Sequence, residues 1–435
     1  MGSHVVVPDD SLGQGTALFA ERVRRTEICL THSSRTGIHI RAIQAELQIP
    51  PPGPCSHDLS FRSFGSFGSF GSFGSFGSFG SFGSFGSFDS FDSFDIFNFF
   101  SVMKLIIPMA GRGTRVRPHS HVTPKPLLPV CGKSMVERIV DTFSAVLPRP
   151  ITEGVFILGP DFGQDVKDAL TDICERHDAT AKFAVQSPAL GTAHAVSCAG
   201  DALEGEGIVV FADTLFFMEP GLDLYNSDVV AWVKHVDDPS RFGVAVREGD
   251  RIIELVEKPK ELISTEALIG IYYVKDLARL RKEITYLMDN NVTGHGNEFQ
   301  LTDAFDRLLK DDAVFTTASV SEWLDCGTIE ALTDTTRFFI RHSKPAIPAD
   351  AVVNAVVHEP VYIGPGARIE GGEIGPETSV EAGASITNST VKHGIVFANA
   401  KISDSSLTDS LVGQHAEVEG FSGQCNIGDH SEIKG

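Results

Sequence analysis

Ala110-Gly-Arg-Gly-Thr-Arg115 puts two glycines and two arginines directly after an apolar run, and Thr123-Pro-Lys-Pro-Leu-Leu-Pro-Val130 follows with a lysine between prolines. A glycine has no Cβ, so backbone N–H groups around Gly111 and Gly113 can converge on phosphate oxygens. Pro124, Pro126 and Pro129 fix the backbone on both sides of Lys125, which is a costly arrangement for a lysine that serves only solubility. Between Met103 and Val136 there is no Asp or Glu, whereas Lys104, Arg112, Arg115, Arg117, Lys125 and Lys133 all fall there. An acid-free basic island in a chain of formal charge −21 suits a small polyanion. The same overall charge argues against nucleic acid or an anionic membrane as a partner. By itself the glycine loop is a weak signal, because glycines after a strand are often a plain turn.

Other residue types narrow the chemistry. Asp213 ends the apolar run Gly207–Ala212, at the strand edge where open α/β sheets present ligands. Ser187, Ser197 and Cys198 have no partnered base in view, so nucleophilic catalysis has little support. His194 falls in a helical stretch and reads as a packed or capping residue, and His393 and His415 read as turn residues. The seven cysteines are scattered and include no CxxC pair, which fits reduced thiols in a cytoplasm better than disulfides or zinc. No stretch reaches the roughly 18 apolar residues of a membrane span.

The elements that must position these residues change character along the chain. Ser-Phe-Gly and Ser-Phe-Asp triplets fill Ser60–Asp95, a period that matches neither strand nor helix. Residues 1–102 are therefore expected to be low-complexity and disordered, or the product of an over-extended reading frame whose natural start is Met103. From Met103 to about His342, strands predicted at Lys104–Met109, Gly154–Leu158, Ala181–Val185, Gly207–Ala212 and Val229–Val233 alternate with helices. The helices are predicted at Gln164–Arg176, Gly191–Ala199, Leu277–Met288 and Phe299–Leu309, with one more opened by a Ser134–Glu137 capping box. Such alternation implies an α/β fold with a doubly wound, mostly parallel sheet. From 343 to 435 the aliphatics Ile363, Ile369, Ile374, Val380, Ile386 and Val391 recur at intervals of six or five. That period is the mark of a small parallel β-helix, here of about five coils.

The strand, Gly111-x-Gly113-Thr-Arg115-x-x-Pro118 and Pro124-Lys-Pro-Leu-Leu-Pro-Val130, in that order, resemble the signature of the sugar nucleotidyltransferase family. That family includes glucose-1-phosphate thymidylyl- and uridylyltransferases. The resemblance covers Met103 to about Thr336, with the shorter A-G-x-G loop spacing common among the uridylyltransferases. It implies a Rossmann-like nucleotidyltransferase domain, and the following coils resemble hexapeptide-repeat left-handed β-helices. It also implies catalytic roles for Arg115 and Lys125 on the triphosphate, and nucleotide binding by Ala110, Gly111, Gly113 and Thr114. Gln186 would read the pyrimidine edge, with Gly191 allowing close approach of the base. Asp213, in Ala-Asp where the family usually has Gly-Asp, and Asp325, in Trp323-Leu-Asp-Cys-Gly-Thr328, would hold Mg²⁺. Gly243 in Asp238-Pro-Ser-Arg-Phe-Gly-Val, Glu257-Lys258-Pro259 and Ile269-Gly270 would form the sugar-phosphate pocket. Gln300-Leu-Thr-Asp303 would begin a structural helix. The implied reaction joins a nucleoside triphosphate, dTTP or UTP, to a sugar 1-phosphate, with glucose 1-phosphate the first choice. Rival readings are a bifunctional enzyme whose β-helix transfers an acyl group, and a non-catalytic sugar-nucleotide sensor. A cytoplasmic homo-oligomer is expected.

Overall fold

The computed structural model describes residues 30–32, 38–40, 103–111, 113–221, 223–224, 226–343 and 345–435. Leu30–His32 and Ile38–Ile40 form a short antiparallel pair. The other expectations for residues 1–102, and the Arg112 side chain, lie outside the described residues.

Strand β1 (Met103–Pro108) is almost continuously apolar because it is covered on both faces. Its Leu105 and Ile107 enter one hydrophobic core and Ile106 the other. It runs parallel to β2 (Ile151–Leu158) on one side and β4 (Gly207–Val210) on the other, and β3 (Thr180–Val185) extends the sheet beyond β2. Helices α1 (Met135–Val146) and α2 (Gln164–Glu175) cover the first face, and α3 (Thr192–Ser197) covers the second. The doubly wound expectation therefore holds for this half of the domain.

The other half is antiparallel where its connections are short. Strand β5 (Thr214–Phe217) leaves the main sheet, and β6 (Val229–His235) returns to it. Strands β7 (Gly243–Glu248) and β8 (Arg251–Glu257) form a hairpin across Gly249-Asp250, and β9 (Glu266–Val274) runs antiparallel to both β4 and β6. A two-residue connection cannot supply the crossover that a parallel pair needs. The sheet is consequently mixed. Helices α4 (Leu277–Asp289) and α5 (Leu301–Lys310) pack on the α3 side, and β10 (Phe315–Ser319) pairs parallel with β6. Strand β11 (Glu322–Asp325) pairs antiparallel with β5, and α6 (Ile329–Ser343) ends this part of the chain.

Helix α1 begins as its sequence suggests: the Ser134 side chain accepts from the Glu137 N–H at 3.1 Å. The return arm of the capping box is replaced, because the Glu137 carboxylate pairs with Arg176 at 3.0 Å. The helix buries Val136, Ile139, Val140, Phe143 and Val146; Leu147 is its C-cap.

After α6 the chain winds into parallel strands stacked in three columns. Ile369, Ile386, Ile402, Val418 and Ile433 stack in one column, and Ile363, Val380, Val396, Val412 and Ile427 in the second. Val357, Ile374, Val391 and Leu407 form the third. Each aliphatic points inward to a core that only stacking can bury. The corners repeat too. Gly366, Gly383, Asn399, His415 and His430 share a left-handed backbone at one, and Glu377, His393 and Asp409 do so at another. His393 and His415 are thus turn residues, as read from the sequence. Among the described residues, no helix is long and apolar enough to cross a membrane.

The coils pack against the loop that carries the basic island. Gly132 N–H donates to Glu381 Oε2 at 3.0 Å, and Tyr362 Oη occupies the space where a Cβ on Gly132 would lie. His119 Nε2 meets Asn426 Oδ1 at 2.6 Å and its ring stacks on Phe397. Arg337 of α6 bonds the His393 carbonyl and the Asp409 carboxylate.

Candidate active site

The C-terminal ends of β1 and β4 open on a cleft of about 420 Å³. Ala110, Gly111, Gly113, Thr114, Arg115, Lys125, Gln186, Gly191 and Asp213 all line it. The expected catalytic pair, the whole nucleotide-binding set and one of the two metal candidates are therefore brought together by the fold.

The two loop glycines differ in their local reasons. At Gly111 a Cβ would meet open space, so this backbone stays approachable from the cleft. Gly113 has φ +58, and a Cβ there would press on the Cβ of Lys125 at 2.8 Å. The loop is held by Ser120, whose hydroxyl donates to the Gly113 carbonyl at 2.6 Å. A 3-10 turn, Thr114–Val116, follows and leaves Thr114 and Arg115 exposed. Arg115 forms no ion pair with a described residue.

Lys125 opens a second 3-10 turn, Lys125–Leu127, after Pro124. Its side chain is only 9% exposed, and its single ion pair among the described residues is to Asp213 Oδ2 at 3.8 Å. That distance is too long for a hydrogen bond. A buried ammonium held this loosely has donors to spare for an incoming anion.

Asp213 and Asp325 arrive from different strands but the same edge. Asp325 is the cross-strand partner of Thr214, and the Cys326 N–H donates to the Asp213 carbonyl at 3.1 Å. Asp325 Oδ1 accepts from Gly327 N–H at 2.7 Å, which orients that carboxylate. Burial pushes the adjacent Cys326 thiol up to about 12, so it is no nucleophile. Two hard oxygen donors at one edge fit a hydrated Mg²⁺, which takes few protein ligands. Among the described residues there is no group of three or more His, Cys, Asp or Glu suited to a metal. A metal ion at this carboxylate pair would need further oxygens, from substrate and water, to complete its coordination shell.

Gln186 follows β3 and is buried, with its backbone N–H on the Leu158 carbonyl. Gly191 adopts φ +117, and a Cβ there would fall on the backbone of Phe299. The glycine thus has a local cause beside its place on the cleft wall. The stretch around it is laced to the start of α5: Phe299 N–H bonds the Leu190 carbonyl, and Leu301 N–H bonds Thr192 Oγ1. Gln300 is the N-cap residue of α5, so Gln300–Asp303 does begin a structural helix.

The expected sugar-phosphate residues sit together but do not line the 420 Å³ cleft. Gly243 and Glu257 are paired across β7 and β8, and a Cβ on Gly243 would meet Glu257 Oε2 at 2.9 Å. Glu257 Oε1 pairs with Lys258 Nζ at 3.3 Å, and Oε2 accepts from Thr302 Oγ1 at 3.2 Å. Lys258 has a left-handed backbone, φ 46. The Ile269 side chain is buried in the core of the sheet, beside a bulge at Gly270 (φ +78), so only its backbone is available to a sugar. Glu298 lines the cleft and Thr302 steadies Glu257, so residues 298–302 connect the two sets. Neither Glu298 nor Thr302 was singled out by sequence; Thr302 lies inside the quoted Gln300–Asp303 segment and Glu298 just before it, and that was their one signal.

The profile of the family described as nucleotidyl transferase matches residues 104–342, more than half of the chain. The bifunctional protein GlmU of Methanococcus aeolicus is 28% identical over 340 residues, covering 73% of this chain and 79% of that protein. The glucose-1-phosphate thymidylyltransferase of Streptomyces antibioticus is 27% identical over 370 residues, covering 76% of this chain and 99% of that protein. The low-salt glycan biosynthesis nucleotidyltransferase Agl11 of Haloferax volcanii is 28% identical over 344 residues, covering 73% and 94%.

Proposed function

This chain belongs to the nucleotidyl transferase family and is a sugar-phosphate nucleotidyltransferase, and from that premise we propose that it transfers a nucleoside monophosphate from dTTP or UTP to glucose 1-phosphate. Thymidylyl transfer is the first choice, supported by the near full-length similarity to a thymidylyltransferase. The observation that carries the mechanism is Lys125, buried at the cleft with one loose ion pair and ammonium donors to spare.

The triphosphate lies along the backbone of Ala110, Gly111, Gly113 and Thr114, where Gly111 leaves room for its oxygens. Arg115 and Lys125 balance the charge that accumulates as the bond between the α- and β-phosphates breaks. An oxygen of the sugar phosphate forms the new bond to the α-phosphorus in line, and pyrophosphate leaves with the electron pair. That oxygen is already anionic, so no general base is required. Asp213 and Asp325 are the residues that would hold Mg²⁺, which when bound supplies charge neutralisation at the α-phosphate. Glu257 accepts from sugar hydroxyls and Lys258 meets the sugar phosphate, with Gly243 and the Ile269 backbone against the hexose.

Residues 103–342 then form the catalytic domain and 343–435 a β-helical scaffold. The acyltransferase alternative finds no favouring observation in His393 and His415, both of which serve as turn residues. Free Cys131, Cys174, Cys198, Cys326 and Cys425 suit a reducing cytoplasm, and a homo-oligomer is the expected assembly. The test is pyrophosphate release from several nucleotides, each with several sugar phosphates. Lys125→Ala is expected to lower kcat by about a hundredfold or more, and unchanged release would refute the mechanism.

A further inference from the structure

Gln186 is fixed in one orientation by two neighbours. Its side-chain amide lies 3.1 Å from the Gly191 carbonyl oxygen and 3.1 Å from Nδ1 of His194. A backbone carbonyl can only accept, so the amide atom facing Gly191 must be the nitrogen, Nε2. Both contacts are made by that same nitrogen, and it has two hydrogens. One goes to Gly191, and the other to His194 Nδ1, which must therefore be unprotonated and act as acceptor. Burial holds the His194 imidazole below its ordinary pKa, favouring the neutral form that can do this.

The consequence falls on the other end of the amide. With both Nε2 hydrogens occupied, Gln186 has only Oε1 left, and among the described residues Oε1 has no hydrogen-bond partner. Gln186 lines the cleft. We propose that His194 is a positioning residue for base selection: by accepting from Gln186 Nε2 it leaves the cleft a lone acceptor, which favours a base whose ring nitrogen carries a hydrogen. Uracil and thymine present such an N–H. Cytosine presents a ring nitrogen lone pair there, and adenine does likewise. Two acceptors then face each other, and a buried polar group is left unpaired. Guanine also carries a ring N–H, so this atom does not reject it. The inference rests on the reading above that Gln186 faces the base, and goes beyond it by naming the side chain that, beside the Gly191 carbonyl, holds the amide.

The experiment compares kcat/KM for UTP and dTTP with that for CTP and ATP, using glucose 1-phosphate, in the full chain and three variants. His194→Leu removes one of the two acceptors that hold Nε2 and frees one of its hydrogens, while the Gly191 carbonyl still faces the amide nitrogen. It is expected to reduce the preference for UTP and dTTP over CTP by about two- to tenfold, the worth of one hydrogen bond to the orientation of the amide. His194→Asn places an amide oxygen within reach of Gln186 and is expected to keep most of that preference. A merely structural role for His194 would lower all four nucleotides together. Gln186→Leu separates the two readings. If it leaves the preference intact, Gln186 does not face the base and the underlying reading fails. If it abolishes the preference while His194→Leu, folded by circular dichroism, retains it, the role of His194 alone is overturned. Should His194→Leu fail to fold, His194→Asn decides: loss of the preference in that folded variant overturns the proposal.

Discussion

Glu381 offers a sharp test of how the β-helix grips the loop that carries the basic segment. It is 2% exposed, accepts from Gly132 N–H at 3.0 Å and from the Ser379 hydroxyl at 2.7 Å. Burial raises its carboxyl from 4.5 to about 7, against the smaller opposing effects of those bonds and of Arg138. A raised folded-state value means that the folded protein binds this proton more tightly than the unfolded chain does. Its contribution is present in full below the unfolded value and is lost as pH rises through the folded one. Between pH 5 and pH 8 the native state should lose about 2.5 kcal/mol from this group alone, at 1.36 kcal/mol per unit. Glu381→Gln is nearly isosteric and cannot ionise. Its amide oxygen can still accept from Gly132, and the Ser379 hydroxyl can turn to accept from its nitrogen. The variant should therefore gain on the parent protein as pH rises, by about 2.5 kcal/mol between those two pH values. Urea unfolding followed by circular dichroism at pH 5 and pH 8 measures this directly. Parallel pH profiles for the two proteins would refute the reasoning, because the carboxyl would then have no shifted ionisation in the fold.

Two further substitutions probe the scaffold and the cleft. Ile386→Ala removes a side chain with no exposure from the centre of a stacked column, and should cost about 2–5 kcal/mol in denaturant unfolding. Gly191→Ala puts a Cβ onto the Phe299 backbone at φ +117, and should cost about 2–4 kcal/mol in the same assay. Because the Gly191 carbonyl also anchors Gln186, the variant that does fold should show a raised KM for the nucleotide, measured by pyrophosphate release.

The sequence by itself determined much of this protein. The apolar runs at β1, β2, β3, β4 and β6 and the periodic faces of α1, α2, α4 and α5 lie close to their predicted bounds, because burial on two faces or one stripe writes itself into residue type. The intervals of six and five marked the coils, since every turn must send one aliphatic inward on each face. Gly111, Gly113, Arg115 and Lys125 pointed from local chemistry to a site for a small polyanion, with prolines fixing the lysine, and the fold brings them to one cleft. What the sequence left open was long-range. The hairpin β7–β8 and the antiparallel β9 could not be read, because short mixed strands have the same apolar content as parallel ones. Asp213 and Asp325 are 112 residues apart in the chain, and only the pairing of β11 with β5 brings them to one edge. Ile269 looked like a pocket residue, yet the bulge at Gly270 leaves its side chain in the core. His194 read as a packed helical residue, and its partner Gln186 emerged only when the turn at Gly191 folded the two together. Local chemistry and periodicity are carried by neighbours in sequence; the meeting of two carboxylates at one edge, and the β-helix wall behind the basic loop, exist only once distant strands have paired.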